Sequence, residues 1–99
     1  MGEGDGSVVE REDDGSFGRY VVRFDDGTEG EMTYRHTGPG VIAVDHTGVP
    51  RHHRGKGHAE MLVQAGIADA RREGKRIIPL CSYVEAQFRR HPEWADLRA

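Results

Sequence analysis

Val41-Ile42-Ala43-Val44-Asp45-His46-Thr47-Gly48-Val49-Pro50 and, after three more residues, Arg54-Gly55-Lys56-Gly57-His58-Ala59 decide the fold of this chain. The continuous apolar run of residues 41–44 suits a central strand. From Ala59 onward, Leu62, Val63, Gly66, Ile67 and Ala70 recur at i, i+3, i+4 and i+7, the stripe of an amphipathic helix. The glycines lie at the junction, where they let the backbone approach a ligand without a Cβ in the way. The start of the helix offers amide N–H groups and the positive end of the helix dipole, which suit an anion and typically a phosphate. Arg54 and Lys56 supply charge of the matching sign. Gly57, rather than Ser or Thr, follows Gly55-Lys56, so this is not a Walker phosphate loop.

Upstream, residues 19–24 (Arg-Tyr-Val-Val-Arg-Phe) are β-branched and aromatic and run into Asp25-Asp26-Gly27-Thr28, a hairpin signal. From Glu29 to His36, Met32 and Tyr34 share one face while Glu31, Thr33 and Arg35 share the other, as in a half-buried strand. Thr37-Gly38-Pro39-Gly40 then turns the chain into Val41. These three runs predict an antiparallel meander. Downstream, Arg71 and Arg72 suit the last helical turn and Gly74 the C′ position. Ile77-Ile78-Pro79-Leu80 follows as a fourth strand, placed by a right-handed βαβ crossover, with the ladder broken at Pro79. Ser82-Tyr83-Val84-Glu85 matches a capping box and predicts a short helix with Val84 and Phe88 on its inner face, ending before Pro92. The fold class is α+β: a meander, one long helix and one short C-terminal helix.

Ninety-nine residues make one small domain with a modest core. Residues 1–16 hold Glu3, Asp5, Glu10, Glu12, Asp13 and Asp14 against Arg11, a net −5 that leaves +2 for residues 17–99 within a total of −3. The acidic start is expected to be a mostly flexible tail, with Val8-Val9 a candidate edge strand, and residues 17–99 form the domain. A mildly basic domain argues against a dedicated nucleic-acid binder. The single cysteine, Cys81, excludes an internal disulfide framework. No apolar run is long enough for a membrane span and there is no signal-peptide h-region, so no membrane partner and a reducing, cytoplasmic setting are expected.

In this order the parts resemble the GNAT acetyltransferase family, specifically its minimal single-domain members. The family's loop pattern, Gln/Arg-x-x-Gly-x-Gly/Ala, falls on His52-His53-Arg54-Gly55-Lys56-Gly57, with His52 departing at the first position. Tyr34, Asp45-His46-Thr47, Val49-Pro50, Pro79-Leu80-Cys81 and His91-Pro92-Glu93 complete a similar series over residues 17–97. The resemblance implies acetyl-CoA as cosubstrate, with its pantetheine arm paired to the strand that ends at Val49. It also implies that the N–H groups of Arg54, Gly55, Lys56, Gly57, His58 and Ala59 cradle the pyrophosphate, and that Cys81 sits near the thioester. Relatives often carry an acidic residue where this chain has Gly48, so no acid–base role is carried over to that position.

The chemistry-bearing candidates are Cys81, His46 and Tyr83. A thiol just ahead of a helix N-terminus is activated and can accept an acetyl group or line the thioester; a small buried thiol is the plainer reading. His46 can take the proton of an incoming ammonium; the alternative is a strand-end histidine bonded to Asp45 or the backbone. Tyr83 can protonate a departing thiolate, a role that a tyrosine fills in some GNAT enzymes; a partly buried tyrosine is the plainer reading. Arg89-Arg90 suits the 3′-phosphate of CoA or a solvated helix end. His52, His53 and His58 with Cys81 match no zinc spacing, and adjacent histidines do not readily face one ion, so no metal is expected.

The leading reading is an acetyl-CoA-dependent N-acetyltransferase acting on a small-molecule or protein amine, directly or through an acetyl-Cys81. So short a chain leaves little for an acceptor pocket, which a homodimer mate or a partner protein is a candidate to complete. A non-catalytic CoA-binding module is the alternative. A nucleic-acid-binding domain using Arg51, Arg54, Lys56, Arg71 and Arg72 is a weaker one, because no aromatic platform is interleaved with those bases.

Overall fold

A computed structural model describes residues 8–99. Five strands, β1 (Val9–Asp13), β2 (Phe17–Arg23), β3 (Glu29–Gly38), β4 (Val41–Gly48) and β5 (Arg76–Pro79), form one sheet in the order β1-β2-β3-β4-β5. The first four pair antiparallel; β5 joins β4 in parallel after the crossover through α1 (His58–Glu73). Helix α2 (Ser82–Arg90) and 3₁₀ turns at Arg51–His53 and Pro92–Leu97 complete the chain. The α+β meander with a βαβ crossover is therefore the observed architecture. Among the described residues, no helix is long and apolar enough to cross a membrane.

Alternation sorts the strands into two faces. Tyr20 and Val22 of β2, Met32 and Tyr34 of β3, and Ile42 and Val44 of β4 bury against Leu62, Val63 and Ile67 of α1 and Val84 and Phe88 of α2. Gly66 lets α1 approach closely: a Cβ there would stand 2.9 Å from Met32 Cε. The opposite face carries Arg19, Arg23, Glu29, Glu31 and Thr33, exposed or half-buried.

Two expectations need correction. Val9–Asp13, inside the segment expected to be a flexible tail, is a strand paired to β2 along its whole length. Its charges are held by the fold: Arg11 reaches Glu73 at 2.6 Å and the Tyr34 hydroxyl at 2.9 Å, and Asp13 accepts the Tyr34 O–H at 2.5 Å. The candidate edge strand at Val8-Val9 thus extends to Asp13 as a hairpin with β2, through an acidic run that composition assigned to the tail. The rest of that expectation, for residues 1–7, falls outside the described residues. The second correction concerns α2, whose N-cap is Cys81 and not Ser82. Glu85 accordingly closes no capping box and pairs instead with Arg98 at 2.6 Å.

One irregularity positions everything that follows. Between Thr33 and Tyr34 the β3–β4 register shifts, with Thr33 opposite His46 and Tyr34 opposite Val44, so Asp45 is a bulged extra residue. Pairing of β4 with β5 ends at Val44 and Pro79, just before that bulge. Pro79 has no N–H to continue the ladder, and the amides of Leu80 and Cys81 both turn back to the Val44 carbonyl at 2.9 and 3.1 Å. The two strands part there.

Candidate active site

The parting opens a cleft of about 470 Å³ between the end of β4, the glycine loop and the first turns of α1 and α2. Thr47, Gly48 and Val49 form one wall; Arg54, Gly55, Gly57 and Ala59 form the floor; Tyr83, Gln87 and Arg90 face them from α2. Gly55 and Gly57 adopt φ of 82° and 85°, left-handed values that favour glycine. A Cβ at either would meet nothing within 4 Å, so these glycines turn the chain and leave open space before the helix.

Gly57 is the N-cap of α1, and no side chain caps the helix. Its first helical bond is from the Met61 N–H to the Gly57 carbonyl at 3.0 Å, and helix geometry leaves the preceding amides without a carbonyl one turn back. Arg54 donates from Nε to the Val49 carbonyl at 3.0 Å, which ties the loop to the strand end and holds its guanidinium beside the cleft. His58 is buried, its ring edge-on to Phe24 at 4.9 Å, so its backbone rather than its imidazole belongs to the helix start. Lys56 is exposed and does not line the cleft.

At the inner end, the half-buried Cys81 places Sγ 3.6 Å from Thr47 Oγ1. Burial acts to raise the thiol pKa, but the Val84 and Tyr83 amides of α2 and the Thr47 hydroxyl outweigh it, and the net direction is down. The Tyr83 phenol moves the other way, raised first by burial and then by the Glu60 carboxylate, so it keeps its proton at neutral pH. His46 stands elsewhere. Its side chain is 59% exposed on the opposite face of β4, with Glu31 at 3.9 Å, and lines a separate groove with Glu29, Gly48, Val49 and Arg54. Asp45 is bonded instead to Thr33, at 2.6 Å. The structure thus gathers Cys81, Tyr83, Val49, Arg54, Gly55, Gly57 and Ala59 around one cleft and sets His46 on the other side of its wall.

Three cleft residues were not singled out by sequence: Thr47, Glu60 and Gln87. Gln87 is 3% exposed, and its Oε1 has no hydrogen-bond partner among the described residues. Its helical position, three residues after Val84, gave no sign that it would border a cavity. Arg90 lines the cleft, whereas Arg89 lies against Glu85 at 3.4 Å, which separates a pair the sequence left together. Adjacent His52 and His53 both lie within hydrogen-bond distance of one atom, the Oδ2 of Asp26.

With this geometry in hand, comparison with known proteins is informative. The family described as GCN5-related N-acetyl-transferase matches residues 19–97. No sequence among curated proteins matches. The solution structure of a GCN5-like candidate N-acetyltransferase from Staphylococcus aureus is similar with a TM-score of 0.72 at 22% identity, covering 93% of this chain and 87% of that one. A candidate acyl-CoA N-acyltransferase from Klebsiella pneumoniae is similar with a TM-score of 0.55 at 20% identity, covering 65% of this chain and 46% of that one. At such identities the structures speak for the fold, and the family match extends over most of the chain. The chain belongs to the GCN5-related N-acetyltransferase family.

Proposed function

We propose that the chain binds acetyl-CoA in the cleft and transfers its acetyl group to an amine, directly or by way of Cys81. The observation that carries this reading is the parting of β4 from β5 directly beside an uncapped helix start. An unpaired strand edge suits the amides of a pantetheine arm, and the helix start with Arg54 suits a pyrophosphate. The buried Gln87 Oε1 is a further acceptor at the cleft wall.

In direct transfer, the amine nitrogen attacks the thioester carbonyl carbon and the C–S bond breaks, its electron pair leaving on sulfur. His46 lies across the β4 wall from this carbon, so the proton lost by the amine passes to water. Tyr83 gives its phenolic proton to the departing thiolate. In the two-step route, the Cys81 thiolate attacks the same carbon and CoA leaves. The amine then attacks the S-acetyl carbon and returns the thiolate to Cys81.

Calorimetric titration with acetyl-CoA, with ATP and dephospho-CoA for comparison, tests the proposal. Micromolar binding of acetyl-CoA and weak binding of ATP are expected. Gly55→Glu should weaken acetyl-CoA at least about tenfold through bulk and charge at the phosphate site. Gly55→Ala, which bears the same φ strain without the charge, separates the two effects. Intact mass after turnover, in wild type and Cys81→Ala, decides between the routes. Absence of acetyl-CoA binding overturns the reading.

A further inference from the structure

The turn between β2 and β3 meets the 3₁₀ turn that precedes the glycine loop, and three metal-ligating side chains converge there. Asp26 Oδ2 lies 2.6 Å from His52 Nε2 and 2.9 Å from His53 Nε2, and the three donor atoms all lie within 4.8 Å of one another. The other carboxylate oxygen is already occupied: Oδ1 accepts the Thr28 N–H at 2.9 Å and the Thr28 hydroxyl at 2.6 Å. This outer contact fixes the carboxylate with Oδ2 toward the imidazoles, as hydrogen bonds to ligating carboxylates do at metal sites. His53 is fixed too, stacked on Phe24 with centroids 3.7 Å apart and planes at 11°. His52 lies alongside it at 4.3 Å.

We propose that Asp26, His52 and His53 form a binding site for a divalent d-block cation, zinc foremost, that clips the β2–β3 turn to the start of the glycine loop. Two imidazole nitrogens and one carboxylate oxygen are a donor set for zinc and its neighbours, not for magnesium or calcium, which take oxygen ligands. Tetrahedral zinc holds its donors about 3.3 Å apart. The observed 2.6 and 2.9 Å therefore need to open by about 0.7 and 0.4 Å, which the exposed Asp26 and His52 permit. Water completes the coordination on the solvent side. Arg54 follows His53 directly, so the ion fixes the chain where the loop begins. The site does not depend on acetyl transfer and is read without CoA.

Titration of the full chain with zinc chloride, followed calorimetrically and with magnesium chloride as control, tests the site. One equivalent of zinc should bind with micromolar or tighter affinity and magnesium should not. Asp26→Asn, which retains the Oδ1 contacts to Thr28, and His52→Ala, at an exposed position, should each weaken zinc at least about tenfold. Circular dichroism confirms that both variants fold. Cys81→Ser should leave zinc affinity unchanged. Absence of one-equivalent binding to the wild-type chain, a loss under tenfold in either folded variant, or loss of binding in Cys81→Ser overturns the proposal.

Discussion

The two faces of the sheet are built from the same strands and held by different physics. On the helix side, Tyr20, Val22, Met32, Tyr34, Ile42 and Val44 are almost completely removed from water. On the other side, Arg19 bridges Glu12, Glu29 and Glu31 at 2.7, 3.0 and 2.9 Å, and Arg23 pairs with Glu10, Glu12 and Glu29. Apolar burial is worth about 25 cal/mol per Å² and is not screened by salt. Exposed ion pairs are worth about 0–1 kcal/mol each and are screened. The helix side therefore holds most of the fold, and the ion pairs of the charged side add little stability.

The largest expected effect that could break this comparison is at Leu62, fully buried in α1 against the sheet. Leu62→Ala should cost about 2–5 kcal/mol by denaturant unfolding. An unchanged midpoint would mean that the helix face is not the main source of stability.

A smaller loss, dependent on pH, sharpens the comparison at the rim of the helix side. Tyr34, 1% exposed, has its phenol pushed up from 10.0 to about 12, first by burial and then by the O–H bond to Asp13. The folded chain thus holds the neutral phenol better than the unfolded chain does. That stability is complete below pH 10 and is lost as pH rises through about 12. Ultraviolet titration of the tyrosines should show a phenol ionising at about pH 12 that disappears in Tyr34→Phe, while Tyr20, raised further by burial and its bond to Asp69, remains. Asp13 shifts the opposite way: burial acts to raise its carboxyl, and the bonds from Tyr34, Gly15 and His36 outweigh it, holding it well below the carboxylate range. Its contribution is present at neutral pH and is lost as the solution is acidified below about pH 4.

The smallest effect is on the charged face. Arg19→Ala should cost less than about 1 kcal/mol, and the difference from wild type should shrink in high salt. A loss comparable to Leu62→Ala would show that the ion-pair lattice carries the fold as well.

The helix side was legible in the sequence because periodicity reports burial directly. Leu62, Val63, Gly66, Ile67 and Ala70 were read as one stripe and all are buried, and Met32 and Tyr34 were read onto one strand face and lie there. The glycine loop was equally legible, since a strand, two glycines and a helix are local events. The site was legible only in part. Cys81, Tyr83 and Val49 could be named, but the side of β4 on which His46 lies depends on a bulge at Asp45. A bulge adds one residue to one strand and moves every later side chain relative to its neighbour, and composition carries no mark of it.

By itself, then, the sequence determined the meander, the crossover and the glycine loop ahead of the helix, because each follows from turn chemistry and hydrophobic period over a few residues. Tertiary structure alone decided four things: that acidic residues 9–13 are a strand, that Thr47 meets Cys81, that Gln87 borders the cleft, and that Asp26 faces two histidines. The last three join groups distant in the chain, and the first extends a hairpin into an acidic run that composition argued against. Such contacts arise from how the elements pack, and local pattern holds no record of them.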